Sequence, residues 1–434
     1  MNFKRFLPHL IAVIGFAVLA VIYASPVLNG KRLNQHDIIQ STAASHEVLE
    51  YYKKTGEWSW WTNSMFSGMP SFMVAADYPT SLSTKIGQTI NRLLPDTANY
   101  IWLLMVGGYV LMLALGANTW LSVIGAIAYG FASYHLISLE AGHVSKVLAI
   151  AYAPGVLAGV LLALQGRYLT GAALTALFLS LELYANHIQI TYYLAIAIVI
   201  YVLIESVTAL REGRLQPLLL ALASLGAASI IAVGTHTTRL WSAADYSTVT
   251  PRGKSELTIT PASEQAGPKP AQAEPRSGLS TDYAFQYSYG KGETMTLLIP
   301  NFYGGPSVSN LSTNSETYKK LTSIGVDATM AQQFTQGLPL YVGDQPFTGG
   351  PAYAGAIVIF LFVLGLLTVR GRLKWWALGI TLLYISWAWG KNFGLNYVFF
   401  DYLPGFNKFR AVTMIFSLVQ IPMVMLGIIA LKQI

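Results

Sequence analysis

Residues 140–167 read EAGHVSKVLAIAYAPGVLAGVLLALQGR. Between Val144 and Leu164 the one charged side chain is Lys146, near the start of the run. About 20 apolar residues in a helix match the roughly 30 Å thickness of a bilayer core. One end of the run carries Glu140, His143 and Lys146, and the other carries Arg167. This asymmetry recurs along the chain. It predicts a helical membrane protein with a plain basic face and a chemically rich opposite face.

Nine further apolar runs lie at about 7–28, 100–117, 119–138, 168–185, 188–207, 216–234, 353–369, 375–390 and 410–431. The expected fold is therefore an all-α polytopic bundle of about ten transmembrane helices, forming a single domain over 1–434. Composition agrees. The chain is 53% hydrophobic and 11% charged, with mean hydropathy +0.48, whereas soluble domains average roughly 25% charged residues. The net charge of +7 reads as loop charge of the kind that fixes topology. No basic tract or nucleic-acid motif accompanies it, so no nucleic-acid partner is expected. The absence of cysteine excludes disulfides, thiolate metal sites and thiol nucleophiles. There is no Walker loop, dinucleotide glycine motif or GxSxG.

Lys4 and Arg5 precede the first run, which is longer than the roughly 7–15 residues of a signal-peptide core. An uncleaved first span with a cytoplasmic N-terminus follows. Alternation then places Arg167, Arg211, Arg214, Arg370, Arg372, Lys374 and Lys432 in the cytoplasm, the positive-inside pattern.

Two long segments fall on the non-cytoplasmic side, at about 29–99 and 235–352. In the first, Gln35-His36-Asp37 opens a helical pattern that stops at Gly56. Thr80 opens another, whose Leu82, Ile86, Ile90, Leu93 and Leu94 form an apolar face suited to the membrane interface. Trp58, Trp60 and Trp61 lie between them, as an interfacial belt or as sugar-stacking surfaces. In the second segment the Pro/Ala/Glu/Ser-rich stretch 260–280 is expected to be mobile. The flanking Asn301–Pro306 and Tyr341–Phe347 pieces look ordered.

Candidate chemistry gathers on the same side. Asp37 stands at a helix start just after the first span. It is either a general base for an acceptor hydroxyl, a ligand to a divalent cation, or simply an N-cap. On a regular helix Gln40 and Glu47 share its sector. Glu140, His143 and Lys146 occupy one short turn, and Asn186, His187 and Gln189 another. Glu182 lies about one turn inside the membrane, which marks it for function or for neutralisation by a neighbour. Lys146, Arg239, Lys391, Lys408 and Arg410 are cations at span ends where cations are scarce. They bind a phosphate headgroup or snorkel to ordinary lipid.

Several blocks together resemble the YfhO-type family of bacterial membrane proteins. They are His36-Asp37-Ile38-Ile39-Gln40, Trp61 to Pro70, Ala141-Gly142-His143-Val144-Ser145-Lys146, Ala185 to Tyr193, Arg252 to Leu257, and Leu403 to Arg410. The resemblance covers nearly the whole chain and is closest to the form in Bacteroidetes-like bacteria. Members are usually longer, with further spans and an exterior domain. The resemblance implies a GT-C glycosyltransferase in the bacterial inner membrane, with its active site on the non-cytoplasmic face. It would move a sugar from a polyprenyl-phosphate donor to an envelope polysaccharide, lipid or protein acceptor. Asp37 takes the place of the catalytic acidic residue of the first exterior loop, with Mg²⁺ or Mn²⁺ as the conceivable cofactor. Arg410, Lys391 and Arg239 would meet the phosphate. Glu140, His143, Asn186, His187 and Gln189 would line the pocket. The alternative is a transporter or flippase for a lipid-linked saccharide, with Glu182 and the exterior histidines as a proton path.

Overall fold

The computed structural model describes residues 3–75, 81–254 and 277–434. Helix α1 (Phe3–Tyr23) is followed by α2 (His36–Thr55), a short antiparallel hairpin of β1 (Trp61–Thr62) and β2 (Met69–Pro70), and α3 (Leu82–Ile90). Then come α4 (Asp96–Ala114), α5 (Thr119–Gly130), α6 (Ser133–Glu140), α7 (Val144–Leu164), α8 (Tyr168–Tyr184), α9 (Ile188–Arg211) and α10 (Leu215–Gly234). The second long segment holds α11 (Thr237–Ser247), α12 (Thr281–Ala284), α13 (Glu316–Ser323) and α14 (Ala328–Thr335). The chain closes with α15 (Ala356–Thr368), α16 (Arg372–Ala388), α17 (Leu395–Tyr402) and α18 (Phe416–Gln433).

Every expected apolar run is a helix, but not every helix is long. Among the described residues six helices are long and apolar enough to cross a membrane: α1, α4, α7, α9, α10 and the segment Val412–Gln433. A seventh span exists if α5 and α6, bent by 46° at a short break, count as one. The other three runs form α8, α15 and α16, of 17, 13 and 17 residues. At 1.5 Å per residue the 13 residues of α15 reach only about 20 Å, short of the hydrocarbon thickness.

The outward face of the bundle is apolar, as lipid contact requires. In α1, Ala12, Phe16 and Ala20 turn inward, while Ile11, Ile14, Val18 and Ile22 are more than half exposed. The most enclosed helix is α7, packed between α4 and α8. Small residues permit that approach. A Cβ on Gly107 of α4 would lie 2.0 Å from the Ala151 carbonyl, and one on Gly159 would meet Thr175 and the Gly171 carbonyl within 2.8 Å. Lipid offers little hydrophobic drive between helices, so close backbone packing holds them. Gly159→Leu is therefore expected to lower thermal stability in detergent by about 1–3 kcal/mol, through overpacking. Gly226→Leu, which meets nothing within 4 Å, should leave the melting temperature unchanged. Equal melting of the two variants would contradict this packing.

Aromatic donors tie the remaining helices together by reaching carbonyls. Trp376 Nε1 donates to the Ala197 carbonyl at 2.9 Å, and Tyr384 OH to the Tyr193 carbonyl at 2.8 Å. The bend between α5 and α6 is braced by the buried His135, whose ring nitrogens meet the carbonyls of Tyr129 and Ser417.

The basic end of the bundle is not purely cationic. Arg372 reaches both oxygens of Glu205 at 3.0 and 3.2 Å, and Arg214 pairs with Glu212. The long segments also depart from expectation in detail. Gln35, not Asp37, is the N-cap of α2, and no side chain caps that helix. Gly56 ends it at φ +75°, as its position predicts. The next helix, α3, is capped by Ser81; Thr80 lies outside the described residues. Its Ile86 and Ile90 pack on the bundle, while Leu82 stays exposed. Most of the stretch expected to be mobile, 260–280, also lies outside the described residues, although Leu279 is buried and its N–H donates to the Asn407 carbonyl.

Candidate functional site

At one end of the bundle a cavity of about 690 Å³ opens between the start of α2, the α6–α7 turn, the approach to α18 and the second long segment. Five of the residues expected to do chemistry line it: Asp37, Glu140, His143, Lys146 and Arg410.

Local geometry explains why α2 and the α6–α7 turn meet. The Gln35 side chain donates to the Leu139 carbonyl at 2.5 Å. Gly142 adopts φ +91°, and a Cβ there would lie 3.1–3.3 Å from Gln35, Ile38 and Asp37. Glycine is suited to that position by both backbone and space. The contact places Asp37 Oδ2 2.8 Å from His143 Nε2, and His143 Nδ1 2.9 Å from Lys146 Nζ.

An ammonium has donors and no acceptor. His143 Nδ1 therefore accepts from Lys146, and Nε2 carries the hydrogen donated to the Asp37 carboxylate. Burial, then the neighbouring Lys146 charge, pushes the His143 pKa down to about 4 against the pull of Asp37. The imidazole is thus neutral near pH 7, in the tautomer this network assigns. Lys146 itself is only 4% exposed and stands 5.2 Å from the centre of the Tyr134 ring.

Arg410 enters from the other side. It precedes Ala411, whose φ of +54° is strained for a residue with a Cβ. Two bonds hold the strained turn: Ala411 N–H donates to the Ala284 carbonyl at 3.1 Å, and Gln189 Nε2 to the Arg410 carbonyl at 2.8 Å. The guanidinium donates to Tyr283 OH and lies 5.2 Å from that ring's centre. Among the described residues no carboxylate lies within 4 Å of it. Its charge is available to an anion.

The far wall is backbone and aromatic surface. Tyr303-Gly304-Gly305-Pro306 and the Tyr341–Phe347 piece, both expected to be ordered, lie side by side there. Gly304 has φ +85°, and a Cβ on it would sit 1.8 Å from the Leu340 carbonyl. Glu293 organises this wall. Its buried carboxylate accepts from Gly290 N–H at 2.5 Å, Asp344 N–H at 3.2 Å and Tyr341 OH at 2.5 Å. Burial and that carboxylate push the Tyr341 pKa up. Sequence reasoning missed Glu293. An acid between Gly292 and a run of Thr, Met and Leu was the available signal.

The remaining expected residues sit elsewhere. Gln40 is exposed on α2 and lines no part of the cavity. Glu47 shares the sector of Asp37 but stands about 15 Å further along the axis. It accepts from Thr62 Oγ1 at 2.5 Å and Asn63 N–H at 2.8 Å, pinning the hairpin to α2. Asn186 is exposed at φ +58°. His187 precedes α9, half-buried; burial and the charge of Lys146 push its pKa down to about 4. Gln189 supports the Arg410 backbone instead of lining the pocket. Arg239 donates to the Tyr184 carbonyl at 3.0 Å, and Lys391 is exposed; neither faces the cavity. Trp58 stacks on Tyr52, and Trp60 and Trp61 are largely exposed away from the site.

The Glu47 anchor carries a pH signature. Thr62 and Asn63 hold its pKa below the ordinary 4.5. The anchoring is thus fully present above that value and lost as pH falls through the depressed folded value. Glu47→Gln should speed amide exchange at Asn63 near pH 7, and wild type should approach the variant only in acid. Identical exchange at neutral pH would refute the anchor.

Among the described residues no three His, Asp or Glu side chains converge on a metal position. The cavity offers Asp37 and Glu140 beside a lysine. That set fits Mg²⁺ or Mn²⁺ only with substrate phosphate completing the coordination. No family model, curated protein or solved structure matches this chain.

Proposed function

We propose that this chain is a multi-pass membrane glycosyltransferase of the bacterial inner membrane. In this reading it moves a sugar from a polyprenyl-phosphate donor to a cell-envelope acceptor on the non-cytoplasmic face. The observation that carries the reading is one cavity holding the Asp37 carboxylate and the Arg410 guanidinium, which among the described residues has no carboxylate within 4 Å. Six to seven candidate spans support a membrane setting, in which a lipid-linked donor is at hand.

The chemistry follows from the groups. An acceptor hydroxyl oxygen forms a bond to the anomeric carbon as the bond from that carbon to the phosphate oxygen breaks. The phosphate keeps the electron pair and leaves as an anion, so no acid has to protonate it. The anomeric carbon passes through an oxocarbenium-like state. Asp37 takes the hydroxyl proton, and Arg410 meets the phosphate by charge-assisted hydrogen bonds. A divalent cation bound at Asp37 and Glu140 would supply further neutralisation of phosphate charge. The aromatic wall of Tyr303, Tyr341 and Phe347 offers surface to a sugar ring.

The test uses the protein in vesicles with a labelled polyprenyl-phosphate hexose. Release of polyprenyl phosphate, with label passing to envelope material, is the expected result. The second reading, transport of the intact lipid, draws on Glu182. This carboxyl is fully buried in α8, with Thr191 beside it but neither oxygen at hydrogen-bond geometry. Movement of uncleaved lipid across the vesicle would favour transport and defeat the transferase.

A further inference from the structure

Lys146 is placed where stability alone would not put a cation. It is 4% exposed and lies in the first turn of α7, at the helix end whose dipole repels positive charge. Among the described residues no carboxylate lies within 4 Å of its ammonium. What it does touch is His143 Nδ1 at 2.9 Å and, at 5.2 Å, the Tyr134 ring face. A buried ammonium is tolerated only where charge or strong acceptors compensate it. The compensating negative charge is Asp37, reached through the imidazole.

We propose that Lys146 is a positioning residue for the cavity: acting through His143, it holds Asp37 as an oriented carboxylate with one oxygen occupied and the other turned to the acceptor hydroxyl. The proposal deepens the transferase reading and rests on it for the meaning of Asp37, though the hydrogen-bond chain itself does not.

Geometry makes the chain directional. Lys146 donates to Nδ1, which leaves Nε2–H as the donor to Asp37 Oδ2. The opposite tautomer would set an N–H against the ammonium and present a bare nitrogen to the carboxylate, two repulsive contacts in one ring. Lys146 thus selects the tautomer, and the tautomer selects the Asp37 rotamer. Gly142 and the Gln35–Leu139 bond keep the two backbones close enough for the chain to close. During transfer Asp37 receives the hydroxyl proton on its free oxygen. His143 keeps Nε2–H and Lys146 its protons, so neither is consumed and neither is a catalytic residue. The groups facing this chain are Tyr134, the buried His135 and Glu140 from α6, His187 ahead of α9, and Arg410 from the opposite wall.

Two measurements test the proposal. The first needs no activity. In protein labelled with ¹⁵N-histidine, the His143 signal, assigned by its loss in His143→Asn, should show a bare Nδ1 and a protonated Nε2. In Lys146→Met the imidazole loses its cationic neighbour but keeps Asp37. Its bare Nδ1 then loses the hydrogen bond it accepts, and the Nδ1 ¹⁵N signal should move downfield. A wild-type ring protonated on Nδ1, or an Nδ1 signal unmoved in Lys146→Met, overturns the proposal whether or not the chain transfers sugar. If Lys146→Met does not fold, the wild-type tautomer still decides.

The second is kinetic. Lys146→Met should lower kcat about 10–100-fold, the range seen when an outer partner of an oriented histidine is removed. KM for the donor should change less than about 2-fold, because Lys146 does not hold the phosphate. Lys146→Arg should recover part of kcat. A rise in KM with kcat unchanged would make Lys146 a donor-binding residue and overturn the positioning role. Failure of wild-type protein to transfer any sugar would sink the transferase reading, and the tautomer seen by NMR would then decide the hydrogen-bond chain by itself.

Discussion

Asp37→Asn should reduce sugar transfer by at least about 100-fold, the lower bound for a lost general base, without unfolding the protein. The amide oxygen can still accept from His143 Nε2–H, so the 2.8 Å contact survives. What the amide lacks is the ability to take the acceptor proton. The loss should appear in kcat, with donor KM nearly constant, because the interaction is made as the hydroxyl ionises. The measurement is transfer by purified variant in vesicles, alongside its melting temperature. Full transfer by a folded Asp37→Asn protein would remove the carboxylate from the mechanism. Helix capping does not stand in for it, since Gln35 occupies the cap position and no hydrogen bond from Asp37 caps α2.

Arg410→Ala is expected to act on the donor. Hydrogen bonds to charged groups contribute about 1.5–3 kcal/mol, or roughly 10–150-fold. That loss should appear in kcat/KM for the polyprenyl-phosphate sugar, mainly through KM. Arg410→Lys should retain part of it, since a lysine keeps the charge but loses the planar fork. Lys391→Ala is the natural control, a cation of the same exterior group as Arg410 that sits outside the cavity. Equal effects at positions 410 and 391 would mean that general surface charge attracts the lipid and that the cavity has no dedicated phosphate group.

The contrast between Arg410 and Lys391 shows where reading the sequence stops. Both follow the same rule: a cation at a helix end on the side where cations are scarce. The rule is local and sees only distance from an apolar run. Arg410 faces the cavity because Ala411 takes a left-handed turn held by Ala284 and Gln189, residues far away in the chain. Glu47 illustrates the same limit. Its sector on α2 was correct, but its height above Asp37 and the hairpin that folds back onto it made it an anchor. Glu293 went unnoticed because its role exists only once Gly290, Tyr341 and Asp344 surround it.

The amino-acid sequence alone was enough to read a mostly helical chain of multi-pass membrane character, and to single out Asp37, His143 and Lys146, which line one cavity. Apolar run length and the placement of charge are properties of consecutive residues, and the bilayer's thickness and water's absence act on them directly. Tertiary structure alone decided that α5 and α6 form a bent pair, that α15 falls short of a full crossing, that Gln189 serves the Arg410 backbone, and that Asp37, His143 and Lys146 join in one hydrogen-bonded line. Those outcomes depend on backbones approaching within a few ångströms at Gly142, Gly159 and Gly304, where the missing side chain matters only because of what packs opposite.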